Sequence, residues 1–154
     1  MTSLPGTAIM VDVERPYDPD LRGLQSEAGW LHASTNPLGE GDPGRFHALF
    51  GRDSLISSLQ LMPVRPDIAR ATLRALADRQ GRVIDPVTLE SPGKIGHEFR
   101  PEPPRTLLDV GWPFGGEFNY FATADATSWF PTARIGRSEL ERSGPASRPP
   151  SAPR

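Results

Sequence analysis

The stretch FHALFGRDSLISSLQLM occupies residues 46–62 and decides the fold that the sequence predicts. After the Gly-Arg-Asp triplet, apolar side chains recur at the spacing of a helix with one apolar stripe. They are Leu55, Ile56, Leu59 and Met62. Pro63 follows directly and ends the predicted helix.

The start of this helix carries a charged pair, Arg52 and Asp53. Gly51 allows a close backbone approach. Asp53 can cap the helix or lie in its first turn, where the helix dipole favours a carboxylate. A charged pair at a rigid helix start can hold a polar ligand. The alternative is that Asp53 acts only as a cap.

A second helix is predicted within the sequence VRPDIARATLRALADRQG, with Pro66 at its start and Gly81 at its stop. Its apolar stripe consists of Ile68, Ala69, Leu73, Leu76 and Ala77. The opposite face carries Arg70, Arg74, Asp78 and Arg79, which we expect to be solvated. A short turn joins the two helices, so together they predict a helical hairpin, the unit of an α/α toroid.

The flanking segments predict two less regular helices. Asp18 and Pro19 are suited to a helix start, and the apolar spacing predicts a helix over residues 18–33. Residues 34–45 consist of turn-forming sequence. Asp125 precedes another helical pattern, which Pro131 is expected to stop almost at once.

Residues 82–106 show no helical period, and they contain the sequence KIGHEFR at 94–100. In an extended conformation, Glu98 and Arg100 point to one side, and His97 and Phe99 point to the other. Either Glu98 and Arg100 form an ion pair at the surface, or these groups line a sugar pocket. Residues 107–121 predict a turn or hairpin that leads into a short strand.

Composition narrows the classes of partner. The chain has 154 residues, a formal net charge of −2, no cysteine, 18 prolines and 15 glycines. The sequence shows no concentrated basic face, so neither nucleic acid nor a membrane surface is predicted as a partner. No apolar run is long enough to span a membrane. We expect a cytoplasmic protein without disulfides or cofactor. No metal is predicted, because Asp85, Glu90 and Asp125 lack the spacing of a calcium loop.

Three parts of the sequence resemble one family. The strings FHALFGRDSLISSLQLMPVRPDIARATLRALADRQG, SPGKIGHEFR and YFATADATSWF resemble bacterial glycogen-debranching or amylo-α-1,6-glucosidase-like proteins, which are six-hairpin glycosidases. The resemblance covers residues 29–130. It implies a mainly α fold, part of an (α/α)6 toroid of helical hairpins with the sugar pocket at one end, accompanied here by long loops and a short β-hairpin.

The resemblance also implies site residues. Asp53 of the GRD motif would hold hydroxyl groups of the sugar whose bond is cut, and Phe50 and Arg52 would shape that pocket. His97, Glu98 and Arg100 match the loop over the site, and Asp125 of the DAT motif would line the neighbouring subsite. None of these would be the proton donor or the base. The family resembles inverting hydrolases, and its two catalytic carboxylates lie in later hairpins.

Three regions are expected: a flexible arm over 1–17, a partial glycosidase domain over 18–130, and a Pro/Ser/Arg-rich tail over 131–154, disordered from about residue 143. A full toroid needs on the order of 300 residues. We therefore expect a truncated or frameshifted form without catalytic residues. Its incomplete ring would expose an apolar face and lead to marginal stability and self-association. That face comprises Leu55, Ile56, Leu59 and Leu73.

The function predicted from the resemblance is that of a glycoside hydrolase-like protein acting on α-glucosidic bonds of glycogen or a related oligosaccharide. A non-catalytic remnant that binds carbohydrate or a partner protein is the alternative. A third hypothesis is a complementing chain that supplies the missing hairpins.

Overall fold

The computed structural model describes residues 18–34, 46–111 and 116–142. Within these ranges the chain is mixed, with mostly helical elements and a small antiparallel sheet. The helices are α1 (Asp18–Leu24), α2 (Gly51–Leu61), α3 (Pro66–Asp78), α4 (Arg105–Asp109) and α5 (Asp125–Arg142). The strands are β1 (Leu49–Phe50), β2 (Glu98–Arg100) and β3 (Phe118–Tyr120). The predicted arm at 1–17 and the predicted disorder from 143 lie outside the described residues.

Helices α2 and α3 pack against each other, which confirms the predicted helical hairpin. Helix α2 begins at Gly51, and α3 begins at Pro66. The buried stripe of α3 differs in one respect from the prediction. Ala77 is exposed, whereas Thr72 and Ala75 are buried. A pattern of apolar residues does not predict the burial of Thr72, because threonine carries a polar hydroxyl.

The short strand predicted within residues 107–121 is β3, and among the described residues it pairs with β2 rather than with a strand of its own segment. It belongs to a three-stranded sheet. Its strand order is β1-β2-β3, and both pairings are antiparallel. Glu98 lies opposite Phe50 on one side and opposite Tyr120 on the other. Helix α4, at the end of the segment predicted to lack helix, was not expected. It has only 5 residues, too few for a helical period to show in the sequence.

Helix α1 is shorter than predicted, because it ends at Leu24 instead of extending to residue 33. Gln25 and Leu31 form an antiparallel bridge, and the turn between them contains Gly29 with a φ of +90°. Leu31 still packs with Leu21 and Ile68 in a small apolar cluster. The spacing of the apolar residues is therefore compatible with a longer helix, but in the structure a turn places Leu31 in the core.

Helix α5 continues for 18 residues through Pro131, so the expected stop at this proline is wrong. A proline inside a helix removes one hydrogen bond and costs about 3 kcal/mol. Its neighbour Phe130 and the next inward residue, Ala133, are buried in the main core. The burial of this face, packed against α2 and α3, offsets the local cost.

The apolar face expected to be exposed is covered. Leu55 and Leu73 retain only 0% and 5% of their accessible surface, and Leu59 packs partly buried against the same cluster. Ile56 is half-buried. Side chains from β1, β2 and α5 complete this cluster, so the expected exposure of the α2–α3 face is wrong for this fold.

We expect Gly51→Ala to destabilise the fold by about 1–3 kcal/mol. An added Cβ would lie 2.1 Å from the carbonyl oxygen of Gly96, a backbone atom that cannot rotate away. Gly136→Ala is the matched control, because its Cβ would meet nothing closer than 3.5 Å in the middle of α5. It should stabilise the protein by about 0.5–1 kcal/mol. Urea denaturation measures both changes, and equal stability of Gly51→Ala and the parent chain would contradict the prediction.

Candidate functional site

The starts of α2 and α5 lie side by side, joined by the Arg52 side chain. Its Nε donates to Oδ1 of Asp53 at 3.0 Å, and its Nη1 donates to Oδ2 of Asp125 at 3.3 Å, across 73 positions of sequence. The three side chains are 45%, 41% and 38% exposed, respectively. We call these three residues the Arg52 cluster. This cluster brings together three of the seven residues predicted for the site, and all three side chains are accessible to solvent.

Asp53 lies in the first turn of α2, and no side chain among the described residues caps this helix. Its carboxylate instead accepts a hydrogen bond from Arg52. Asp53 was predicted either to cap the helix or to lie in its first turn. The structure has it in the first turn, where the helix dipole favours its negative charge.

Asp125 is held by more than Arg52. Its Oδ1 accepts a hydrogen bond from the Thr123 hydroxyl and another from the backbone N–H of Ala126, the latter at 2.8 Å. The Thr123 bond is the largest cause that lowers the pKa of Asp125 below its ordinary value, and the Ala126 N–H and Arg52 act in the same direction. Asp125 is therefore ionised at neutral pH and can only accept hydrogen bonds.

Thr123 was not among the predicted site residues. A hydroxyl residue close before an aspartate at a helix start is a local signal for such a bond, because serine and threonine commonly bond to groups near helix N-termini.

Phe50 and His97 lie beside the Arg52 cluster. The backbone N–H of Gly51 donates to the carbonyl of His97 at 2.9 Å, which connects the start of α2 to the segment before β2. The rings of Phe50 and His97 meet edge to face with centroids 5.7 Å apart, and the Tyr120 ring meets that of His97 at 6.3 Å. Phe50 is buried, so one side of the His97 ring packs against a residue of the core.

Glu98 and Arg100 form the ion pair that the sequence allowed, but not at the surface. Their side chains are only 12% and 10% exposed, respectively. The structure therefore does not have the surface ion pair, which was one of the two alternatives for these residues. Both side chains belong to the middle strand, β2, and residues two positions apart in a strand share one face. Removing either partner would leave the other charge buried, which is costly.

A cavity of about 600 Å³ lies near the Arg100 end of this pair. Its lining includes Trp30, His32, His47, Leu49, Arg79, Phe99, Arg100 and Glu117. No sequence pattern predicts this cavity. Trp30 and His32 fall within the helix predicted over residues 18–33, and the turn found there instead brings them beside His47.

The rings of His32 and His47 stack with centroids 3.6 Å apart and an angle of 12° between their planes. Burial, and secondarily the neighbouring His47, lowers the pKa of His32 to about 4. Among the described residues, the buried Nδ1 of His32 has no hydrogen-bond partner. His32 is therefore a neutral ring at physiological pH.

Metal and membrane sites are not evident in the part of the chain that the structure describes. There, no group of three or more His, Asp or Glu side chains is arranged to hold a metal ion. None of the helices in these ranges is long and apolar enough to cross a membrane.

Comparisons with known proteins give no family assignment. No model of a protein family matches the chain, and no curated protein is significantly similar to it in sequence.

Replacing Thr123 should raise the pKa of Asp125 toward its ordinary value of 3.8. We expect Thr123→Val to raise it, because the hydroxyl bond is the largest single cause that lowers this pKa. Arg52→Gln should raise it as well, because the charge and the hydrogen bond of Arg52 act in the same direction. Carboxyl ¹³C shifts followed by NMR against pH measure this titration. Thr132→Val is the control, since this hydroxyl bonds only to Ser128 within α5. An unchanged pKa of Asp125 in Thr123→Val would contradict the role of this hydroxyl.

The same lowered pKa gives Asp125 a defined effect on stability. Because the folded form binds the proton less readily than the unfolded form, its contribution is present above about pH 4 and is lost as the pH falls through the folded pKa.

Acidification should weaken the fold through His32 between about pH 6.5 and pH 4. In this window His32 of the unfolded chain takes up a proton that His32 of the folded chain does not. The free energy of unfolding therefore decreases as the pH decreases. His32→Phe keeps a ring against Trp30 and His47 but cannot titrate. Urea denaturation across this window should show a shallower decline for the variant, and identical slopes for both proteins would contradict the role of His32.

Proposed function

We propose that this chain carries sugar-binding residues of a cytoplasmic glycoside hydrolase that acts on α-glucosidic bonds of glycogen or a related oligosaccharide. In this proposal the α2–α3 hairpin belongs to an (α/α)6 toroid of the amylo-α-1,6-glucosidase type. The proposal starts from the resemblance of three separate segments, which contain the GRD, GHEFR and DAT motifs.

The observation that carries the proposal is the meeting of these three segments. Arg52 of the first contacts Asp125 of the third, and Gly51 of the first bonds to the carbonyl of His97 in the second. The segments lie far apart in sequence, so no local preference requires them to meet. Their convergence at the starts of two helices supports a common role.

The chemistry of the Arg52 cluster suits a neutral sugar. Carboxylate oxygens accept hydrogen bonds from sugar hydroxyls, and the guanidinium donates to hydroxyl oxygens. Arg52 already orients both carboxylates, so binding would require little further ordering of Asp53 and Asp125. The exposed fractions of these side chains leave them accessible to a ligand.

The cluster suits binding better than proton transfer. A general acid in glycoside hydrolysis needs a raised pKa so that it holds a proton near neutral pH. The pKa of Asp125 is lowered instead. We therefore propose that these residues hold the sugar, and that catalysis would depend on other groups, such as those of a complementing chain.

Asp53→Asn should weaken the binding of maltooligosaccharides by about tenfold or more, because it removes a charged acceptor without changing the shape of the side chain. Isothermal titration with maltotetraose measures the affinity, and an assay for released glucose runs beside it. Asp78→Asn is the matched control, since Asp78 is exposed at the end of α3.

Binding that weakens only in Asp53→Asn, without glucose release, is the expected result. Absence of saturable binding by the parent chain would overturn the proposed function. Glucose release by the purified chain alone would show that the chain holds its own catalytic pair and would overturn the assignment of binding without catalysis.

A further inference from the structure

The cavity beside Trp30 has the dimensions of a small-molecule site. Its volume of about 600 Å³ falls within the range of roughly 300–1,000 Å³ usual for such sites. Leu49 and Phe99 form part of its wall and belong to the main core, where they are 1% and 5% exposed. Since this wall is part of the packed core, the cavity has a preformed apolar side.

The aromatic character of the wall favours a flat ligand. Trp30 packs partly buried against the main core, and Phe99 meets Phe121 edge to face within it. Both rings border the cavity. Aromatic rings prefer to pack edge to face or offset against a further ring, and such contacts add to the gain from apolar burial.

The charge at the cavity comes from Arg79 rather than from Arg100. Arg100 is engaged by the Glu98 carboxylate. Arg79, just after α3, donates from Nη1 to the carbonyl of Ala75 at 3.2 Å, and within the described residues it forms no ion pair. A guanidinium has five N–H donors, so most of those on Arg79 remain for a ligand. Their planar arrangement matches the two oxygens of a carboxylate.

We propose that this cavity binds a small aromatic carboxylate, with its ring against Trp30 and Phe99 and its carboxylate on Arg79. This site uses none of the residues of the Arg52 cluster, and the inference is independent of the proposed sugar binding. Glu117, at the exposed part of the lining, disfavours ligands that carry a second negative charge.

The test is calorimetric titration of the full chain with 2-naphthoate and with its neutral counterpart, 2-naphthalenemethanol. We expect naphthoate to bind at least about tenfold more tightly, the difference that one charge-assisted hydrogen bond typically makes. Arg79→Gln should remove most of this preference, and Arg79→Lys should retain part of it. The indole N–H signal of Trp30 in ¹H–¹⁵N spectra should shift as naphthoate is added.

Arg74→Gln is the matched control. Arg74 is an exposed arginine of α3, the helix that ends directly before Arg79, but it does not border this cavity. Thermal melts of both glutamine variants verify that they fold. Equal affinity for the acid and the alcohol, no saturable binding of naphthoate, an unshifted Trp30 signal, or equal losses in Arg74→Gln and Arg79→Gln would each overturn the proposal.

Discussion

The hydrogen bond from the Gly51 N–H to the His97 carbonyl, 2.9 Å long, is the constraint on which the rest of the structure depends. Strand β1 ends at Phe50 and α2 begins at the next residue, so this contact fixes both the sheet and the direction of the helix. The backbone of Gly96 and the side chain of Ala126 leave no space for a Cβ at Gly51. The start of α5 is thereby brought against the start of α2.

The helical hairpin could be predicted from sequence because its determinants are local. Pro66 begins α3, and the apolar period that includes Leu73 and Leu76 directs one face inward. The segment after Leu24 and the helix through Pro131 could not be predicted in the same way. In both cases the decisive energy comes from distant packing, which lets Leu31 and Phe130 reach the core against the local preference.

The candidate site was predictable only in part. Asp53 could be placed in the first turn of a helix from its neighbours alone. The contact of Arg52 with Asp125 could not be predicted in this way, since no local pattern connects residues 73 positions apart. No sequence pattern predicts the cavity, because it depends on a turn at Gly29 and on the register of the sheet.

The Arg52 cluster contains two carboxylates for one guanidinium, so its formal charge is one unit negative at neutral pH. A phosphorylated sugar would therefore meet repulsion here, and the cost would be greatest at low ionic strength. An uncharged polyol would meet none. In the proposed sugar site, this charge would favour the free form of a sugar over its phosphorylated form, and a higher salt concentration would weaken that preference.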